Sequence, residues 1–151
     1  MTTPYPKYME PSYEGSEHGE LRRTQPFIAE TDIYPGRPVK LSKTDSKKVV
    51  AWTTVGYDAE AYFGIVTRSA DMYNNYGAST DYYRAGQEVP VTFENIVRVV
   101  SSVAVKTGQK VYLDKVSGAY TNVATNNGDQ IGSFNIDGDA QSLVLIHINK
   151  L

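Results

Sequence analysis

The chain has 151 residues, with 15 Lys+Arg against 17 Asp+Glu for a formal charge of −2, and no cysteine. A domain of this length buries roughly 68–70% of its unfolded surface, so a core can form without staples. The charge leaves no footprint for duplex nucleic acid or an anionic membrane. The missing thiols exclude disulfides, thiolate zinc sites and cysteine nucleophiles and say nothing about the redox compartment.

Residues 1–26 differ from the rest. Pro4, Pro6, Pro11 and Pro26 fall here, with Glu10, Glu14, Glu17, Glu20, Arg22 and Arg23 and almost no aliphatic residue. An extended N-terminal arm is expected. Met1–Tyr13 has no apolar run, so it reads as neither signal peptide nor membrane anchor, and the chain is expected to be soluble where it is made. Tyr5, Tyr8 and Tyr13 favour an arm that docks on a neighbour over a solvating tail, because a phenol ring suits a contact surface.

From Phe27 the pattern is short β runs separated by turn chemistry, giving a single β-domain over 27–151. Pro38–Leu41, the polar turn Thr44–Lys48 and Val49–Thr53 read as a hairpin. Ala61–Thr67 is a further strand, in which Gly64 marks a bulge or a close backbone approach. Ser69–Tyr83 interleaves Met72, Tyr73, Tyr76, Tyr82 and Tyr83 with Asn, Ser and Gly, the mixture that contact loops use. These five are candidate interface residues, Met72 as adaptable filler. A loop folded back over its own sheet by its tyrosines is the other reading.

Strands are then expected at Glu88–Phe93, Ile96–Ser101, Lys110–Asp114, Ala119–Val123, Gln130–Ile136 and Ser142–Asn149. In the last, Val144, Ile146 and Ile148 should face the core, with Leu143, Leu145, His147 and Asn149 on the opposite face. Turns at Lys106–Gln109, Val116–Gly118, Asn126–Asp129 and Asp137–Asp139 recur at roughly 10-residue intervals, as in a sandwich or barrel. Gly36, Gly86 and Gly108 each precede an inward valine by three residues. Pro38 and Pro90 belong at strand starts or edges. No stretch holds helical periodicity, and the fold class is all-β.

Catalytic chemistry finds little support. His18 and His147 are far apart in the chain, no Gly-x-Ser-x-Gly elbow occurs, and neither phosphate-binding glycine motif is present. Asp137-Gly138-Asp139 and Asn127-Gly128-Asp129 read as turns, since neither supplies the alternating oxygens of a calcium loop. Asp58, Glu60 and Asp71 are expected to be solvated surface acids. No catalytic, metal or cofactor residue is assigned.

The order of parts from Pro35 to Leu151 resembles the structural cement proteins of tailed bacteriophages. The resemblance is carried by Gly36–Leu41, Phe63–Val66, Ala85–Val91, Val105–Leu113 and Gln130–Phe134 before the final aliphatic strand. It implies a small β-barrel, jelly-roll or tulip-like subunit on the outside of a phage head, bridging neighbouring major capsid proteins. It implies a virion protein made in the host cytoplasm, with the major capsid protein and its own copies, as dimer or trimer, for partners, and no nucleic acid or membrane. The competing readings are a carbohydrate-binding module, with Trp52 and the loop tyrosines stacked on sugar rings, or a receptor-binding virion protein.

Overall fold

The structure, a computed structural model, describes residues 14–17, 23–57, 62–68, 82–124 and 127–149. Every regular element among them is a strand: β1 Arg23–Ala29, β2 Pro38–Leu41, β3 Lys48–Ala51, β4 Gly64–Val66, β5 Glu88–Val100, β6 Lys110–Asp114, β7 Tyr120–Thr121, β8 Asn127–Phe134 and β9 Leu143–Asn149. The all-β expectation holds.

Three of these strands start alike. Gly36, Gly86 and Gly108 take φ of 84°, 95° and 90°, which L side chains resist, and each turn delivers a valine three residues on into the interior. Val39, Val89 and Val111 are all fully buried. Gly64 is a close approach, because a Cβ there would lie 2.6 Å from Val91 Cγ1.

The strands pair in the order β1-β3-β2-β4-β5, and β5 pairs back to β1, so these five close into a barrel. Within the ring the β1–β3 pairing is parallel and the others are antiparallel. Closure leaves the five-strand ring without a free edge. The expected hairpin is present as β2 and β3, with Lys40 opposite Val50. Pro90 lies opposite Pro26. Two residues without N–H groups cannot exchange a pair of ladder bonds, so this position falls on the non-hydrogen-bonded alternation.

β5 runs on past the barrel. Its second half, Glu94–Val100, pairs with β9, and the sheet continues through β8, β6 and β7. A parallel bridge between Ser101 and Tyr120 returns β7 to the end of β5. The expected strands Glu88–Phe93 and Ile96–Ser101 are therefore one element of 13 residues. Its inward residues feed two cores in turn. Val89, Val91 and Phe93 pack with Ala29, Ile33, Val39, Val49, Val66 and Tyr83, and Val97 and Val99 pack with Leu113, Phe134, Val144, Ile146 and Ile148. The face assigned to β9 from its alternation is correct.

Other boundaries differ from the sequence reading. Asn127–Asp129 begins β8 instead of forming a turn, and only Tyr120–Thr121 of the expected Ala119–Val123 run is strand. The arm boundary also moves. Arg23–Pro26 belongs to β1 and pairs with Glu94–Pro90, while Glu17 bridges Val97 on the same edge of β5. Both stretches belong to the folded sheet of their own chain.

Candidate protein-interaction surface

The turn Tyr34–Arg37 between β1 and β2 is the meeting point of three stretches of chain. Ile33 and Tyr83 exchange backbone bonds, N–H to O, of 2.9 and 2.8 Å. Strand alternation then turns Ile33 and Tyr83 inward, where they are 1% and 3% exposed, and sends Tyr34, Tyr82 and Arg84 outward. Tyr83 also donates its hydroxyl to Thr67 O at 2.7 Å inside the core. Of the candidate interface residues, Tyr83 is thus a packing residue whose polar end is already satisfied, and the alternation that hides it displays Tyr82.

The rings of Tyr34 and Tyr82 lie 5.1 Å apart and tilted by 34°, and the Arg84 guanidinium stands 4.8 Å from the Tyr82 ring centre. Tyr34 is 46% exposed. Ala85 N–H donates to Asp32 Oδ1 at 2.9 Å, and Arg84 N–H donates to Gln87 Oε1, so the backbone under the stack is fixed.

On the other side of the turn lies Glu14–Glu17. Gly15 N–H donates to Arg98 O at 2.7 Å, Arg98 N–H to Ser16 O at 2.9 Å and Arg68 N–H to Gly15 O at 3.0 Å. Ser16 is fully buried. A Cβ on Gly15 would come within 2.7 Å of Gly36 N, so backbone touches backbone here. Glu14 pairs with Arg37 at 3.0 Å, and its carbonyl accepts from Arg68 Nε at 2.9 Å. Burial pushes the Glu14 carboxyl above its ordinary range, opposed by the charges of Arg37 and Arg68.

Glu14, Arg68 and Tyr82 are the points at which residues 1–13 and 69–81 join the described structure. Both sequence-assigned contact segments therefore attach around one turn. Tyr5, Tyr8, Tyr13, Met72, Tyr73 and Tyr76 themselves lie outside the described residues. Sequence reasoning did not single out Tyr34 and Arg84. The available signal was the alternation around Tyr83, which fixes what its neighbours face.

The other candidates resolve as structure. Trp52 is 5% exposed, lies under the Lys40 ammonium at 4.6 Å and donates Nε1–H to Lys115 O at 3.3 Å. It offers no platform for a sugar ring. Asp137 accepts from Thr107 N–H at 2.8 Å and from the Thr107 hydroxyl at 2.9 Å, which holds its carboxyl below the usual range. His147 is partly exposed opposite Ile96. Among the described residues no three His, Asp or Glu side chains gather as metal ligands would.

A family model described as structural cement protein (E217 gp24/Pam3 gp6) matches residues 1–149. Among solved structures, the capsid of Myoviridae phage XM1 aligns with a TM-score of 0.63 at 17% identity, over 93% of each chain. The N base of head fiber gp8.5 of bacteriophage phi29 aligns with a TM-score of 0.54 at 13% identity, over 87% of this chain and 98% of that one. At these identities the likeness is one of fold. No curated protein matches the chain.

Proposed function

Because this chain belongs to the phage structural cement protein family, which its residues 1–149 match, we propose that it binds the outer surface of a phage head and bridges neighbouring major capsid proteins. It is a capsid structural protein, and the bridging role is the part that goes further. The observation carrying it is the family match along nearly the whole chain. The fold supplies the physical reason: a closed barrel extended by a second sheet is a rigid body with both predicted contact segments attached around one turn. A subunit that binds only the assembled lattice stabilises that lattice by linkage. Contact residues Tyr5, Tyr8, Tyr13, Met72, Tyr73, Tyr76 and Tyr82 would supply large, low-entropy contact area. Homodimers or trimers at symmetry positions of the shell fit the same scheme.

Co-sedimentation with undecorated heads built from the same phage's major capsid protein, and separately with the free capsid subunit, tests this. Saturable binding to heads and none to free subunits is expected. A chain beginning at Glu14 should bind at least several-fold more weakly, since it lacks three contact tyrosines. Absence of binding by the full chain to the head lattice would overturn the cement role.

A further inference from the structure

We infer that Arg84, whose guanidinium stands over the Tyr82 ring, receives a carboxylate of the capsid protein, so that the contact is anchored by a guanidinium fork next to the Tyr34–Tyr82 ring pair. This rests on the cement reading above and names the chemistry of its partner.

Arg84 is exposed, and its guanidinium makes no hydrogen bond or ion pair with a described residue. The neighbouring arginines are engaged. Arg37 holds Glu14, Arg68 Nε donates to Glu14 O and Arg98 donates to the Ser16 hydroxyl at 3.0 Å. The carboxylates around the turn are engaged as well, Glu14 by Arg37 and Asp32 by the Ala85 N–H. The fork of Arg84 is therefore presented to the surface with its donors unspent.

Stacking sets what that fork can take. A guanidinium held over a ring loses less side-chain freedom on binding than a mobile cation would. Its N–H edge matches the two oxygens of a carboxylate. Tyr34 adds an exposed ring whose hydroxyl has no partner among the described residues, and Tyr and Arg are the residue types that dominate interface energetics. The backbone beneath is held by the Ile33–Tyr83 bridge and by the buried Tyr83 hydroxyl. The site is built before its partner arrives.

The test is a binding isotherm of the full chain on undecorated heads, at low and moderate salt, for wild type, Arg84→Gln, Arg84→Lys, Tyr34→Ala and Lys106→Gln. Lys106 is an exposed control, paired with Asp137 at 3.9 Å and with no contact to Arg84, Tyr82 or Tyr34. Arg84→Gln should weaken binding by roughly tenfold or more and flatten the salt dependence. Arg84→Lys should recover only part of the loss, because an ammonium cannot reproduce the fork. Tyr34→Ala should weaken binding several-fold, and Lys106→Gln should stay within about twofold. Wild-type binding with Arg84→Gln within twofold of it would overturn the inference and leave the cement role standing, and an equal loss in Lys106→Gln would overturn it as general charge attraction. If the wild type does not bind heads, the cement role fails and takes this site with it.

Discussion

Gly132, in β8 opposite Ile148, sits where a Cβ would collide with the carbonyl oxygen of His147 on β9. The obstacle is backbone, so it cannot rotate away. Gly132→Ala should destabilise the fold by at least about 1–3 kcal/mol, read from urea unfolding midpoints. Trp52→Ala removes a buried ring together with its bond to Lys115 O, and a loss of about 3–5 kcal/mol is expected in the same measurement. Glu14 gives the fold a pH dependence of defined sign. Its native pKa lies above the ordinary 4.5, so the native state holds the proton more tightly than the unfolded chain. Stability contributed by this residue is greatest below 4.5 and falls as pH rises through the native value. The advantage of Glu14→Gln over wild type should grow across that interval, and a difference independent of pH would contradict it. Side-chain burial was legible where the local pattern is strong. Trp52 stands in an apolar run with Val49, Val50 and Ala51, which points to a core or half-buried ring, and it is buried. For Tyr83 the sequence left a contact residue and a ring folded back over its own sheet both open, and it is core, because its burial depends on Ile33, fifty positions away in the chain.

Among the strands, β6 was recovered at its true limits and β9 to within one residue, since each is a short alternating run bounded by turns. β5 was read as two strands because Glu94-Asn95 looks like a break. Asn95 is nevertheless 1% exposed. Its side-chain amide donates to Glu17 Oε2 and its Oδ1 accepts from Ile96 N–H at 2.8 Å. That long-range partner, which no local window contains, makes a polar residue tolerable between two cores. The same contacts decide where the chain can be cut. A chain beginning at Glu14 keeps Glu14–Glu17 and all of β1, and its Tm should stay within a few degrees of the full chain's. A chain beginning at Phe27 loses Arg23–Pro26 and the bonds of Gly15 and Ser16 to Arg98. It should melt at least about 5–10 °C lower, corresponding to roughly 1–2 kcal/mol or more in a domain of this size, and expose the edge of β5 to aggregation. Circular dichroism melts and light scattering on the two truncations separate these outcomes.

For the assembled shell, heads saturated with the protein should lose integrity at a higher temperature than bare heads. Binding at 100 times Kd is worth about 2.7 kcal/mol per site. A light-scattering or dye-release melt reads the shift, and identical melts for saturated and bare heads would count against a stabilising role. The class of molecule was legible through the resemblance carried by the motifs from Gly36–Leu41 to Gln130–Phe134, and the family match over residues 1–149 bears it out. The closure of β1 on β5 was not legible, since no local signal reports which edges meet. That closure decides how the molecule carries load. Glu14–Glu17 and β1 both lie against β5 in the opposite direction, the first through Gly15 and Ser16 and the bridge of Glu17 to Val97. Tension applied at Glu14 along the direction of β5 would act on these bonds in shear, with several sharing the force, whereas a pull across the strand would peel them open one after another. Under the proposed role, a capsid contact that pulled on Glu14 along this line would meet the molecule in its strong direction.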